Sequence, residues 1–314
     1  MYDNEEDLVA RLDGCPSEIR GLFEHMLRRC DRFYAQRPSL ALQSVHMCTR
    51  YHVNITLLDL VILDLQPPEL LQSPSQLSHQ HKLRERVANA EQRIISRTAG
   101  LVQFVKPGRT LSAYTAGRPE EKQGIEIANF TSAEFVHRTA LDFLDEDQEG
   151  REFLQGSGLT DIECMHKIFC AFIWKALHAL DSSKANDEQV FRLANRIESL
   201  PVLPAWYTSL LQEFFDGLTN LMPDTKLRLD QSAKTALQKC VLALTYFEDA
   251  TGSENVMLGY AAEFELVKFA RWKLEALPLD HSQQLRAFFM VSCFDWASQY
   301  DSSLIYIAGQ SWTY

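Results

Sequence analysis

The sequence predicts a mainly α-helical protein: a helical bundle with a winged-helix-like N-terminal unit that carries one small β-hairpin, followed by a helical arm. Apolar residues recur at helical spacing over most of the 314 residues. The stretch 101–105 is short, β-prone and bounded by glycine and proline, which predicts a strand. Beyond about Thr160 every pattern is helical. We therefore expect two domains, residues 1–150 and residues 151–314.

The first helices are predicted by their apolar spacing. An amphipathic helix is expected from Pro16 to Tyr34, since proline is tolerated at the first helical position. Arg37-Pro38 is expected to end that helix, and a second helix follows over residues 40–47. Thr56 is a good N-cap for a third helix, which stops before Pro67.

A loop and a charged helix come next. Residues 67–80 are rich in Pro, Ser and Gln, which predicts a loop. A fourth helix, residues 82–97, has an apolar face, and Gly100 closes it. Its other face holds five basic residues, namely Lys82, Arg84, Arg86, Arg93 and Arg97.

The pattern then changes to two short strands. Residues 101–105 are expected to pair with Phe135–His137, and residues 107–124 between them look like a long mobile loop. A helix begins near Leu141. His137 lies between the apolar pair 135–136 and this helix, where a histidine is by itself more often bonded to backbone than in contact with a ligand. A two-stranded hairpin must pack on helices to be stable. The order of helices, hairpin and helix fits a winged-helix arrangement.

The C-terminal half is predicted to be helical throughout. Residues 162–180 form a nearly all-round apolar helix, which is expected at the centre of a core. Further helices are expected around residues 237–244, 264–274 and 285–294, and the aromatic tail 302–314 is expected to be ordered only by docking.

Composition narrows the class of protein. Lys plus Arg number 31 and Asp plus Glu number 42, so the net charge of −11 disfavours nucleic acid as a partner. The seven cysteines form no C-x-x-C pair, and the N-terminus has no secretory signal. No apolar run is long enough to span a membrane. We expect a cytoplasmic protein with reduced thiols and no membrane.

Motifs for catalysis are absent from the sequence. None of the 13 glycines is followed by Lys, which excludes a P-loop, and no Gly-x-Ser-x-Gly occurs. Cys164, His166 and Cys170 share one helix, but no second ligand pair follows, so buried thiols are the favoured interpretation. His79 and His81 lie two apart in a predicted loop, and surface histidines explain them as well as a metal does. We predict no enzyme activity, no cofactor and no metal.

The basic face of helix 82–97 supports an alternative function. In a winged helix, this segment could enter the major groove of DNA. The competing interpretation is a solvated helix face with mixed charges, and the net charge favours it. A winged-helix nucleic-acid-binding protein is therefore kept as the second hypothesis.

Three stretches resemble a known family in the same order along the chain. Residues 135–144, FVHRTALDFL, resemble a signature of fungal NACHT proteins, with Ala140 at a position where that signature has Val. Residues 96–104, SRTAGLVQF, and 8–27, LVARLDGCPSEIRGLFEHML, are similar to two further segments of the family. Residues 264–274 are similar to another of its helices. These proteins are STAND-class, NLR-like P-loop NTPases.

The resemblance implies a role without catalysis. It matches the chain to the winged-helix-like and helical region that follows the NACHT module, so a truncated or split member is expected. The resemblance also implies that His137 touches bound ADP and holds a closed state, given a NACHT module in the same or another chain. The expected function is therefore a regulatory, protein-interacting module whose partner is a protein or a NACHT module.

Overall fold

The computed structural model describes residue 16, residues 18–28, 36–65, 83–106, 120–178 and 184–221, and four residues between 266 and 272. Over these residues the protein is mainly helical and has one antiparallel two-stranded sheet, which confirms the predicted fold class. The chain divides into two compact units, residues 1–190 and residues 191–314. The first unit thus extends beyond residue 150, where the sequence suggested a domain boundary.

The first helices of this unit run close to their predicted positions. Helix α1 covers Ile19–Arg28, and its apolar face buries Phe23 and Leu27. Helix α2 covers Gln36–Arg50. Arg37-Pro38 therefore lies in the first turn of α2, and the prediction that it separates two helices is wrong. The missing N–H of proline costs little there, since the first-turn N–H groups have no partner within the helix.

Thr56 begins helix α3, Leu57–Asp64, as predicted. The Asp59 backbone N–H donates to the Thr56 hydroxyl over 3.3 Å, and the Thr56 N–H donates to the Asp59 carboxylate over 2.8 Å. This reciprocal capping satisfies donors that the helix itself leaves unpaired. All residues from Leu57 to Leu63 are buried, so the cap fixes the start of a core helix.

The basic segment is helical but interrupted. Residues 83–88 are helical, Asn89 is a turn residue with φ −121°, and helix α4 covers Ala90–Arg97. The predicted single helix is therefore wrong at Asn89. Lys82 and the predicted loop 67–80 lie outside the described residues.

The sheet pairs strand β1, Val102–Val105, with strand β2, Ser132–Phe135. The prediction of β1 is confirmed, whereas β2 lies three residues before the predicted stretch Phe135–His137. Backbone partners on the side of β2 away from β1 explain this position. The Ala133 N–H donates to the Ile55 carbonyl and the Leu57 N–H donates to the Thr131 carbonyl, both over 2.8 Å. Available partners, rather than β-propensity, decide where this strand lies.

The connection between the strands contains helix α5, Glu120–Phe130. The predicted mobile loop 107–124 is therefore wrong over residues 120–124, and residues 107–119 lie outside the described part of the chain. Ile125 and Ala128 of α5 are buried, and α5 packs against α3. Packing of one apolar face is what turns this segment into a helix.

Three further helices of the first unit follow: α6, Arg138–Glu146; α7, Gln148–Gln155; and α8, Asp161–His178. Helix α8 packs against α2 and α3, and residues 168–176 are all buried, which confirms the predicted central helix. Because α8 completes a core that the first helices begin, the compact unit extends past residue 150.

Helix α9, Lys184–Glu198, contains the boundary between the units, and α10 covers Tyr207–Leu221. In the second unit an aromatic cluster is buried, formed by Phe191, Phe214, Phe215 and Phe269. The helices predicted near 237–244 and 285–294 and the tail 302–314 lie outside the described residues. No described helix is both long and apolar enough to cross a membrane.

Candidate functional site

The candidate site is the exposed turn between strand β2 and helix α6, residues 136–138, called here the His137 junction. His137 is the N-cap of α6, with extended backbone angles of φ −155° and ψ 150°. Its Nδ1 accepts the Thr139 backbone N–H over 3.2 Å and lies 2.9 Å from the Thr139 hydroxyl oxygen. The sequence places a side-chain acceptor where the first turn of α6 needs one.

This cap fixes the ring of His137 and its tautomer. Because Nδ1 accepts a hydrogen bond, the proton of the neutral ring is assigned to Nε2. His137 is exposed, and Nε2 makes no hydrogen bond to any described residue. The junction therefore presents a held imidazole with one N–H donor still available.

The neighbours of His137 favour an anionic ligand. Val136 is 41% exposed and Arg138 is also exposed, so the junction offers a guanidinium beside the imidazole. The imidazole and the guanidinium lie at the N-terminus of α6, the end of a helix that carries partial positive charge. These groups suit a phosphate or a carboxylate.

The predicted nucleic-acid face is dispersed over two helical segments. Arg86 forms an ion pair with Asp64 over 3.1 Å, and Arg93 donates to the Arg86 carbonyl over 3.3 Å. Arg93 and Arg97 line a small groove against α2 and α3, and Arg84 also has a partner in the fold. The described arginines thus contribute to packing of the bundle.

The helix that carries Cys164, His166 and Cys170 has its thiols in the core. Cys164 and Cys170 are buried, and the Cys164 sulfur lies 3.7 Å from the Ser44 hydroxyl oxygen. Burial raises the pKa of the Cys164 thiol to about 12. Burial, and to a lesser extent the charge of Lys167, lowers the pKa of His166. Within the described ranges, no three His, Cys, Asp or Glu side chains are grouped to hold a metal ion. His79 and His81 fall outside those ranges.

A buried ion pair is the feature that the sequence analysis missed. Lys175 Nζ lies 2.6 Å from Asp59 Oδ1, and both side chains have 0% exposure. Gln189 Oε1 accepts a hydrogen bond from Lys175 Nζ over 2.5 Å. Burial lowers the pKa of Lys175, and the nearby Asp59 carboxylate opposes that shift. The available signal was a charged residue in the middle of an apolar stretch, Asp59 in one helix and Lys175 in the other.

The second unit holds its own buried carboxylate. Glu198 accepts the backbone N–H groups of Lys268 and Phe269, each over 2.7 Å, and the Tyr207 hydroxyl over 3.0 Å. Burial raises the pKa of Glu198, and the two backbone hydrogen bonds oppose the rise. Burial and then Glu198 raise the pKa of Tyr207. These hydrogen bonds tie two segments of the second unit, distant along the chain, to one carboxylate.

The fold and the site define a mainly helical protein with a small sheet and an exposed histidine at a strand–helix junction. A family model described as a domain of unknown function, DUF7791, matches residues 29–174, a stretch that includes Asp59 and His137. No curated protein and no solved structure matches the chain.

Proposed function

We propose that the chain is a non-catalytic regulatory and protein-interaction module that works with a fungal NACHT-type NTPase of the STAND class. In this role the winged-helix-like first unit contacts the nucleotide-bound module, and the protein acts in the cytoplasm. Support comes from the three similar segments of the sequence and from the geometry of the His137 junction.

One observation carries the proposal: His137 is exposed, and its ring is held by the cap on Thr139. A ring fixed before binding loses little conformational freedom when Nε2–H donates to a phosphate oxygen. The contact ends when the phosphate leaves, so it favours one nucleotide state of the partner. A histidine in the core could not do this.

The test measures release of a fluorescent ADP from a NACHT module of a fungal NLR-like protein, with and without this chain added. The wild-type chain should slow release by roughly 5–150-fold, the range of typical coupling free energies. His137→Asn keeps an acceptor for the cap but removes Nε2–H, and it should abolish most of the slowing.

A matched control is His52→Asn. His52 is also exposed and has a φ of 55°, a backbone conformation that asparagine tolerates. This variant should slow ADP release as the wild type does. Release that is unaffected by the wild-type chain, or equally slowed by His137→Asn, would contradict the proposal.

A further inference from the structure

The buried ion pair between Lys175 and Asp59 lies in the apolar core between α8 and α3. Both side chains are fully buried, and Lys175 Nζ also lies 5.4 Å from the centre of the Phe172 ring. Removing two charges from water often costs as much as their attraction returns, so apolar residues would stabilise this core as well. Stability alone therefore does not explain why the pair is there.

Asp59 connects the pair to strand β2. Its Oδ2 accepts the Thr56 backbone N–H over 2.8 Å and the Thr56 hydroxyl over 2.7 Å. Residues 55–57 form the backbone hydrogen bonds to Thr131 and Ala133 described above. These contacts connect the Asp59 carboxylate to the strand that leads into the His137 junction.

Gln189 connects the same pair to α9. Its Oε1 accepts from Lys175 Nζ, and its Nε2 donates to the Asn54 carbonyl over 2.9 Å. The Gln189 amide therefore binds both the Lys175 ammonium in the core and the backbone two residues before Thr56. Gln189 is itself buried, so water does not compete for these bonds.

We propose that this polar network couples the His137 junction to helix α9, so that ordering at either end stabilises the other. Its path runs from Gln189 through Lys175, Asp59 and residues 54–57 to β2. The coupling goes beyond the proposed nucleotide role, because it does not depend on which ligand occupies the junction. The coupling would thereby connect His137 to Gln189, which lies 52 positions further along the chain.

The test is amide hydrogen exchange of the full chain without nucleotide, comparing the wild type with Gln189→Met. Methionine has a similar length but offers no amide. We expect roughly tenfold faster exchange at the Leu57 and Ala133 amides and in residues 135–140, with α10 unchanged. The control Glu188→Met introduces the same residue at the exposed neighbouring position and should leave those amides unchanged.

The reciprocal measurement leaves the core untouched. His137→Ala removes the cap, and linkage requires that it also speed exchange in α9, around residues 188–195. The proposal would be overturned if exchange became faster only in α9 of the Gln189→Met variant, or only in α6 of the His137→Ala variant. Uniformly faster exchange across the chain would also overturn it, because it indicates global destabilisation. Because no nucleotide is present, failure here is distinct from failure of the ADP-release test.

Discussion

His137 has two separable roles at the level of a single residue. Nδ1 stabilises the start of α6 through Thr139, whereas Nε2 is the atom offered to a ligand. The family resemblance implied a ligand role for this position, whereas the residues alone favoured a histidine bonded to backbone, and the hydrogen bond from the Thr139 N–H agrees with the second interpretation. A histidine is an uncommon N-cap, so propensity rules alone would not have placed it there.

Replacing His137 should therefore test the cap by itself. We expect His137→Ala to lower the free energy of unfolding by about 1 kcal/mol, because the first turn of α6 loses its side-chain acceptor. His137→Asn should lose much less, since asparagine is a strong N-cap. Urea denaturation of both variants measures the difference, and equal losses for the two would argue against a capping role.

The Cys164 thiol should make stability depend on alkaline pH. Its pKa is raised from 9.0 to about 12 in the folded chain, so between these values only the unfolded chain loses the proton. Stability from this thiol is thus complete below about pH 9 and falls as pH rises, by up to about 1.4 kcal/mol per pH unit.

Cys164→Ala isolates that contribution from the other titrating groups. The stability difference between wild type and variant should shrink from about pH 8 to about pH 10, as measured by urea denaturation. A difference that stays constant with pH would show that the thiol does not have the raised pKa.

At the scale of elements, α8 combines an apolar surface with one buried charge, Lys175, that fixes its position. A helix buried on nearly every side can pack in more than one register, whereas Lys175 must lie beside Asp59. A shift of α8 by one turn would leave both charges buried and unpaired. The pair therefore favours one packing of α8 against α3.

Substitutions of Lys175 and Asp59 should change the free energy of unfolding non-additively. Lys175→Met alone should lower the free energy of unfolding by about 3–5 kcal/mol, because it leaves a buried carboxylate unpaired. Adding Asp59→Asn, which keeps an acceptor for Thr56, should restore more than half of that loss. Denaturation of the single and double variants measures the coupling, and additive losses would mean that the two charges do not depend on each other.

Two glycines provide a matched test of helix packing. A Cβ on Gly150 of α7 would lie 2.5 Å from the Phe143 carbonyl oxygen and 2.9 Å from the Leu144 Cα, whereas a Cβ on Gly124 of α5 would meet nothing within 4 Å. Gly150→Ala should cost about 1–3 kcal/mol through backbone displacement. Gly124→Ala should add about 0.5–1 kcal/mol through helix propensity. Thermal unfolding of both should give shifts of opposite sign.

The sequence predicted most helices and strands but not the tertiary contacts between them. Periodicity located α1, α3 and α8, because each has a continuous apolar face. The apolar stretch 135–137 suggested a strand, yet β2 lies at Ser132–Phe135, where residues 55–57 and β1 both supply partners. Gly124 suggested a loop, yet burial of Ile125 and Ala128 made α5 helical. Such contacts are tertiary and leave no periodic signal in the chain.

At the scale of the whole molecule, charge and packing bear on the alternative function. The chain carries a net charge of −11, and Arg86 and Arg93 form contacts within the first unit. Sequence alone identified the basic residues but not the partners that occupy them, since Asp64 is distant from Arg86 along the chain.

Binding to duplex DNA should therefore be weak. Fluorescence anisotropy at about 150 mM salt should give a dissociation constant no tighter than the non-specific range of roughly 10⁻⁴–10⁻⁶ M. Arg86→Gln should lower stability without changing that affinity. Nanomolar binding with a steep salt dependence, lost in Arg93→Gln and Arg97→Gln, would instead support the winged-helix nucleic-acid binder.

The central position of α8 also has a consequence for synthesis on the ribosome. Helices α2 and α3 are made early, but α8 begins 97 residues after α3 ends (161 − 64). Because translation adds about 5–20 residues per second, the apolar faces of α2 and α3 lack α8 for roughly 5–20 s. During that interval the nascent chain exposes apolar surface that holdase chaperones recognise. Slow codons between α3 and α8 should therefore lower the yield of folded protein more than slow codons placed after α8.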